Sequence, residues 1–292
     1  MLDEYDVILF GPSLSAYLLA VFTQRLGVRC LIVLNEEDVS PSIQPIFTTP
    51  FRQFGIPQPY LALNWRISSL TGIQIFQENA VIPHPCTGIL LNMDTTFEDM
   101  KRDALTWGVH FVSLQEIAAI DWNETKLTLT SGKTFKTKLW VQTCTPPSQS
   151  DMPLLCPYRF ILDSVPMVTG IIDYLSDVSG SLLLFPLGRD RVFTCYAPSQ
   201  PGDFQRNVQK LLQKRFPKKE FSLSLQRGVL PTQSVSPPYQ EGLLKIGQAA
   251  HYFISPWYFY AEIELILTRY CKDQIIQFLT TQDEIHLERI ND

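Results

Sequence analysis

The 292-residue sequence has few cysteines, and none stands in the C-x-x-C spacing that is typical of zinc sites and dithiol redox motifs. The six cysteines are scattered at positions 30, 86, 144, 156, 195 and 271. Cys30 and Cys144 fall in strand-like runs, where a thiol packs as a small apolar side chain. We therefore predict no metal site and a reducing compartment. A P-loop and a nucleophile elbow are also missing.

Excess positive charge and long apolar runs are absent as well. The net charge of −5 gives no general electrostatic attraction to nucleic acid, which usually meets a basic surface. No uninterrupted apolar stretch reaches the roughly 20 residues that a membrane-spanning helix needs. The first four residues, Met-Leu-Asp-Glu, are acidic where a signal peptide is basic. We expect a cytoplasmic protein without a transmembrane segment.

Apolar residues are plentiful, and their clearest pattern lies between Tyr5 and Glu37. Asp6–Phe10 reads as a strand, residues 13–26 as an amphipathic helix, and Cys30–Leu34 as a second strand. Gly27 stands where a left-handed residue often ends a helix. The uninterrupted apolar character of Cys30–Leu34 predicts a parallel strand that is buried on both faces.

The next part of the chain is less regular. From Ser40 to Leu91 the periodicity is weak and prolines recur, which favours loops and short elements. Thr95 and Glu98 have the spacing of a capping box and predict the start of a helix, which Gly108 would end.

Alternating patterns and turn residues predict the remaining elements. These are short strands at 109–112 and 117–121, hairpins over 126–144 and 181–197, a helix near 204–212, strands at 222–230 and 243–246, a tight turn at 247–250 and a long helix at 257–281.

Four segments in this order carry a family likeness. They are YDVILFGPSLSA at the start, GKTFKTKLWVQTCTPPS at 132–148, SLLLFPLGRDRVFTCYA at 181–197 and GLLKIGQAAHYFISP at 242–256. The chain resembles the p-hydroxybenzoate hydroxylase-like flavoproteins, which include aromatic hydroxylases, geranylgeranyl reductases, flavin-dependent halogenases and lycopene cyclases. The resemblance implies an α/β fold: a Rossmann-like, three-layer FAD/NAD(P)-binding domain (1–60, 98–150 and 236–292) with an inserted mixed β-sheet (α+β) substrate domain (61–97 and 151–235).

The same resemblance implies FAD as cofactor and a set of contact positions. These would be Gly11, Ser13 and Ala16 in the first turn, Asn35 and Glu36 after the second strand, and Gly247, Gln248 and Ala249 in the last motif. Trp257, Tyr258 and Tyr260 would line a pocket for a small hydrophobic or aromatic ligand.

Several of these positions depart from the family pattern. Ser13 replaces the second glycine of G-x-G-x-x-G/A, which lets the backbone approach a pyrophosphate closely. Leu34 stands where an acidic residue would bind the ribose, and Gln248 replaces an aspartate. Residues 142–145 read Gln-Thr-Cys-Thr in place of Asp-Ala-Thr-Gly, and an arginine that commonly precedes the helix near residue 95 is missing.

Two main hypotheses follow, and both remain open at this point. The first is an FAD-dependent oxidoreductase of the monooxygenase or reductase type with weakened cofactor binding, whose small hydrophobic or aromatic substrate lies between the inserted sheet and the nucleotide fold. The second is a cofactor-free pseudo-flavoprotein, which would be a ligand-binding or regulatory protein, or a non-redox enzyme such as a cyclase. A nicotinamide-dependent reductase is a third and weaker alternative. A protein partner or oligomer is compatible with each, and no catalytic acid or base can be named.

Overall fold

Two mixed β-sheets organise the chain in this computed structural model. It describes residues 3–34, 43–47, 66–77, 80–143, 158–188, 190–200, 202–223, 226–227, 238–240, 242–246 and 261–291. The strands are β1 (Asp3–Phe10), β2 (Cys30–Leu34), β3 (Ile43–Phe47), β4 (Arg66–Gln77), β5 (Ala80–Asn92), β6 (His110–Ser113), β7 (Ile117–Asp121), β8 (Lys126–Leu129), β9 (Thr134–Gln142), β10 (Tyr158–Asp163), β11 (Ile171–Asp177), β12 (Gly180–Pro186), β13 (Arg191–Pro198), β14 (Gln226–Arg227), β15 (Tyr239–Gln240) and β16 (Leu243–Lys245). The helices are α1 (Leu14–Gln24), α2 (Met93–Thr106), α3 (Phe204–Arg215), α4 (Ala261–Thr281) and the short α5 (Ile285–Glu288), and a 3-10 turn covers Leu114–Glu116.

The first sheet is built around β1 and has the order β15-β16-β9-β1-β2-β6. Its four inner pairings, from β16 to β6, are parallel, and the β7–β8 hairpin joins it through β9. The predicted strand–helix–strand unit at the start of the chain is confirmed, with β1 beginning three residues earlier than expected. The apolar run of β2 is buried, as its composition predicts.

Helices cover one face of the first sheet. Side chains of α1, α2 and α4 form one hydrophobic core with β1, β2 and β9. The opposite face packs with the β7–β8 hairpin around the fully buried Trp140, which contacts Phe10 and Trp122. Gly27, with φ +84°, follows α1 in the left-handed conformation that its position predicts. The result is a helix layer, a parallel sheet and a β-layer.

The second sheet has the order β14-β10-β13-β12-β11-β4-β5-β3. All its pairings are antiparallel except that of β11 with β4. Helix α3 packs on one face through Val208, Leu211 and Leu212. The other face carries a separate apolar cluster. The predicted hairpin over 181–197 is confirmed as β12 and β13.

The expectation of loops and short elements over 40–91 is wrong, because this range contains the long β4–β5 hairpin. Pro83 and Pro85 suggested a break, since proline cannot donate to a sheet. They lie in the exposed first half of β5, whereas β3 pairs with β5 only at Gly88–Asn92. Proline is tolerated where a strand forms an edge of this kind.

The predicted capping box at Thr95 and Glu98 is also wrong. Helix α2 begins three residues earlier and is capped by Asn92, whose side-chain oxygen accepts hydrogen bonds from the N–H groups of Asp94 and Thr95. Asparagine is among the best N-cap residues because its oxygen satisfies N–H groups that lack partners in the first turn. Gly108 follows the end of the helix, as predicted.

Near the end of the chain, the described residues agree with the elements that the sequence predicts. Strand β16 and helix α4 are present, whereas the predicted turn at 247–250 and residues 257–260 lie outside the described ranges. Of the strand expected at 222–230, Gln226–Arg227 is described as β14. The proposed domain boundaries stay a prediction. None of the described helices is long and apolar enough to cross a membrane.

Candidate functional site

The predicted cofactor site starts at the turn between β1 and α1. Gly11 has φ +102°, a conformation that strains any residue with a Cβ atom. Its N–H donates to the carbonyl of Val33 at 3.0 Å, which extends the pairing of β1 with β2. The glycine turn of a dinucleotide-binding fold is therefore retained in its backbone form.

Ser13 gives this turn a different chemistry from a glycine. It is the N-cap of α1, and its hydroxyl oxygen accepts a hydrogen bond of 3.0 Å from the N–H of Ala16. In a dinucleotide site the N–H groups at a helix start bind the pyrophosphate. Here a side chain of the protein already accepts from one of these donors.

The start of α1 is also closed to solvent. Ser13, Ser15 and Ala16 are each 0% exposed, and Leu14 and Gly11 are buried. A bound pyrophosphate touches the backbone of this turn in the family motif. In the described part of the site, one donor at the start of α1 is thus occupied by Ser13, and the residues of the turn are buried.

Thr143, which directly follows the neighbouring strand β9, forms hydrogen bonds to the turn between β1 and α1. Its hydroxyl donates to the carbonyl of Phe10 at 2.8 Å and lies 3.2 Å from that of Gly11, and its N–H also donates to Phe10. Thr143 stands in the Gln-Thr-Cys-Thr segment that replaces the family's Asp-Ala-Thr-Gly. The substitution therefore adds hydrogen bonds within the protein beside the expected cofactor.

The remaining predicted positions are only partly described. Leu34, at the end of β2, is half-buried and pairs with Ser113, so this position offers no carboxylate to a ribose. The other predicted contacts and pocket residues lie outside the described ranges and stay predictions: Asn35, Glu36, Gly247, Gln248, Ala249, Trp257, Tyr258 and Tyr260. Within the described ranges no group of three or more metal-binding side chains occurs.

A second candidate site lies on the face of the second sheet opposite α3. Directly paired residues point to the same face of a sheet, so the registers of five strand pairs define one row across it. The row consists of Arg159, Cys195, Leu183, Tyr174, Ile75 and Ile82. We call this surface the Arg159 face.

The Arg159 face is apolar and incompletely covered. Ile161, two residues from Arg159 on the same face, is 43% exposed, and Ile82 at the far end of the row is 42% exposed. Tyr174 and Ile75 are half-buried. Covering these exposed apolar side chains would remove them from water.

Among the described residues of this face, Arg159 is the charged side chain that is buried, with 9% of its surface exposed. It lies beside Cys195, and burial raises the pKa of that thiol to about 12 although the guanidinium opposes the shift. The sequence analysis missed Arg159. The available signal was a single cation within the run Tyr158-Arg159-Phe160-Ile161-Leu162, where alternation in a strand predicts that it shares a face with Ile161.

A pocket of about 290 Å³ lies between β16, α4 and residues 290–291. Its lining includes Ile246, Leu267, Tyr270, Cys271 and Ile290. This volume is at the lower limit for a small-molecule site. Burial raises the pKa of Cys271 to about 12, so its thiol is not a nucleophile at neutral pH.

Comparison with known proteins identifies the fold. No family model and no curated protein matches the sequence. The structure is similar to PqsL, a probable FAD-dependent monooxygenase from Pseudomonas aeruginosa, with a TM-score of 0.77 and 12% identity over 99% of this chain and 90% of that chain. PqsL has also been crystallised with 2-aminobenzoylacetate.

The structure is also similar to a reductase-like protein and to a flavin-dependent halogenase. A geranylgeranyl bacteriochlorophyll reductase-like protein from Thermoplasma acidophilum matches with a TM-score of 0.72 and 13% identity over 99% of this chain and 83% of that chain. A flavin-dependent halogenase from Xanthomonas campestris matches with a TM-score of 0.73 and 11% identity over 100% of this chain and 74% of that chain. The chain has the α/β, Rossmann-like FAD-binding fold of these oxidoreductases with an additional sheet, and the predicted resemblance is confirmed at the level of fold.

Proposed function

We propose that this protein is a cofactor-free member of the flavoprotein fold that binds a small apolar or aromatic molecule on the Arg159 face. The observation that carries the proposal is the closed start of α1. Ser13 caps the helix from within, and the backbone that would meet a pyrophosphate is buried. Without a bound flavin the scaffold serves ligand binding, regulation or a non-redox reaction.

The ligand class is supported by the second sheet. The Arg159 face offers half-buried Tyr174 and Ile75 beside the exposed Ile161 and Ile82. Flat apolar molecules gain binding free energy by covering such surfaces. The structural neighbour PqsL, which binds an aromatic molecule, lends support by analogy of fold.

The second candidate is an FAD-dependent oxidoreductase with weakened cofactor binding. It is favoured by the turn itself, since Gly11 keeps a positive φ of +102°, which suits the first glycine of the motif because that residue makes the tight turn. Ala16 also keeps a small side chain at the third position of the motif, where α1 packs closely on the sheet.

Flavin titration distinguishes the two candidates. The purified protein is examined for absorbance in the blue, where oxidised flavin absorbs, and FAD is then titrated while its fluorescence is followed. We expect a colourless protein and no saturable binding. A yellow protein with one FAD per chain would contradict the proposal and establish the second candidate.

A matched pair of variants tests the role of Ser13 directly. Ser13→Gly removes the hydroxyl that accepts from Ala16 and restores the family's second glycine, so measurable FAD binding should appear or increase. Ser15→Ala changes a buried serine two residues away and leaves the cap intact, so FAD binding should stay as in the wild type. Equal behaviour of the two variants would show that the cap does not keep FAD out.

A further inference from the structure

Positive charge is concentrated on helix α3 and the residues that follow it. Residues 204–219 hold six of the chain's 24 lysines and arginines and no aspartate or glutamate, whereas the whole chain has a net charge of −5. The six are Arg206, Lys210, Lys214, Arg215, Lys218 and Lys219. This local excess of one sign lies across the second sheet from the Arg159 face, so the proposed ligand site makes no use of it.

Three of these cations form a row on the solvent side of α3. Arg206, Lys210 and Lys214 are spaced four residues apart, so they line one side of the helix, and all three are exposed. The opposite side of the helix packs on the second sheet. Lys218, which is also exposed, continues the positive charge beyond the end of α3. We call these four residues the basic surface.

Nearby acidic groups compensate the basic surface only in part. The carboxylate of Asp177, at the end of β11, lies 3.3 Å from the Nζ of Lys210 and 3.7 Å from that of Lys214. The side chain of Asp177 is only 10% exposed, however, whereas that of Lys210 is 62% exposed. Asp203 and Glu220 are exposed at the two ends of the segment. The charge that α3 presents to solvent along this row is therefore positive.

An apolar side chain projects beside these cations. Val178 lies in the turn between β11 and β12 and, at 82%, is the most exposed of the large apolar side chains that the structure describes. Lys214 donates a hydrogen bond of 3.3 Å to the carbonyl of Ser176, which places its ammonium group next to this turn. The surface thus combines a protruding apolar group with flanking positive charge.

We propose that the basic surface and Val178 together form a docking surface for an anionic membrane. Lysine and arginine side chains are attracted to acidic lipid headgroups, and an apolar side chain gains free energy by entering the interfacial layer beneath them. A nucleic acid suits this surface less well, because it offers phosphates to the cations but no apolar layer to Val178. The docking surface is independent of the ligand proposed for the Arg159 face.

Sedimentation with lipid vesicles tests the proposal on the full-length protein. One set of vesicles contains phosphatidylcholine and phosphatidylserine, and the other contains phosphatidylcholine alone. We expect binding to the mixed vesicles that weakens as added salt screens the charges, and little binding to the neutral ones. Absence of binding to the mixed vesicles, or equal binding to both sets, would overturn the proposal.

A pair of double variants assigns the binding to the basic surface. Arg206→Gln combined with Lys218→Gln removes two exposed charges and should weaken binding to the mixed vesicles about tenfold or more. Lys101→Gln combined with Arg102→Gln is the matched control, because it removes the same two charges from exposed positions on α2. The control should bind nearly as the wild type does. An equal loss in the two double variants would show that net charge alone matters and would overturn the assignment.

Substitution of Val178 distinguishes a membrane from other polyanions. Val178→Ser should weaken binding to the mixed vesicles about threefold or more and leave binding to duplex DNA as in the wild type. Leu26→Ser is the control, because it removes a side chain that is 62% exposed beside the first sheet, and it should not change vesicle binding. If Val178→Ser binds the mixed vesicles like the wild type, the surface recognises polyanions in general, and the membrane is not its partner.

Discussion

The hydroxyl of Ser13 accepts the N–H of Ala16 at 3.0 Å, so the first turn of α1 is capped by the protein's own side chain. Two residues on, the hydroxyl of Ser15 is fully buried and has no hydrogen-bond partner among the residues that the structure describes. The two serines thus have opposite energetic roles at the start of one helix. One satisfies a backbone donor, and the other leaves a polar group unsatisfied.

This contrast predicts opposite effects of the same substitution. Ser13→Ala removes the cap and should lower the free energy of unfolding by about 1 kcal/mol. Ser15→Ala removes an unsatisfied hydroxyl and introduces the best helix former, so it should raise the free energy of unfolding by roughly 0.5–1 kcal/mol. Urea unfolding of both variants at one pH measures the two values. A loss of stability in Ser15→Ala would mean that its hydroxyl has a partner that the structure does not show.

The ion pair between β11 and α3 predicts a pH-dependent effect. Burial is the largest influence on Asp173 and raises its pKa, while the hydrogen bond from Arg215 opposes the shift. Arg215 also stacks near Phe76, 4.9 Å from the ring centre. Arg215→Met removes the compensating charge and should raise the pKa of Asp173 further.

The sign of the effect follows from linkage. A carboxyl whose folded pKa lies above its unfolded value makes folding less favourable as pH rises through the folded pKa. Loss of one partner of a buried pair costs about 3 kcal/mol when the other stays charged. The stability deficit of Arg215→Met should therefore be about 3 kcal/mol at pH 7 and clearly smaller at pH 4.

Urea unfolding at both pH values gives the deficit, and Arg215→Lys, which keeps a positive charge, should show a smaller one at pH 7. A deficit that is independent of pH would mean that Arg215 contributes by packing on Phe76 rather than by compensating Asp173.

The sequence predicted the fold wherever one local pattern dominated. The apolar runs around β1 and β2, and glycines 11 and 27, specify the start of the first sheet without help from distant residues. The β4–β5 hairpin was missed because Pro83 and Pro85 obscure its alternation. Their tolerance depends on the edge position of β5, which is a property of the assembled sheet.

The candidate site was less predictable, for a related reason. Comparison of motifs identified Ser13 as a departure from the family, but the closure of the site depends on burial of the α1 start by the rest of the protein. Arg159 was missed because its neighbours in the row come from β13, β12, β11, β4 and β5, which are far apart in the chain. The local run marks Arg159 as a lone cation beside Ile161, but neither the closure of the α1 start nor the row across the second sheet can be obtained from a window of local sequence.

Thiol reactivity provides an independent test of how tightly the hydrophobic cores of the first and second sheets are packed. Burial raises the pKa of Cys30, Cys195 and Cys271 to about 12 in each case, and it also raises that of Cys86, which is only half-buried. Because the thiolate is the reactive form, N-ethylmaleimide at pH 8 should modify Cys86 well before these three in the native protein. All four should react at similar rates in urea, which controls for local sequence. Early modification of Cys195, mapped by mass spectrometry of peptides, would show that the Arg159 face opens in solution, and early modification of Cys271 would show the same for the packing of α4.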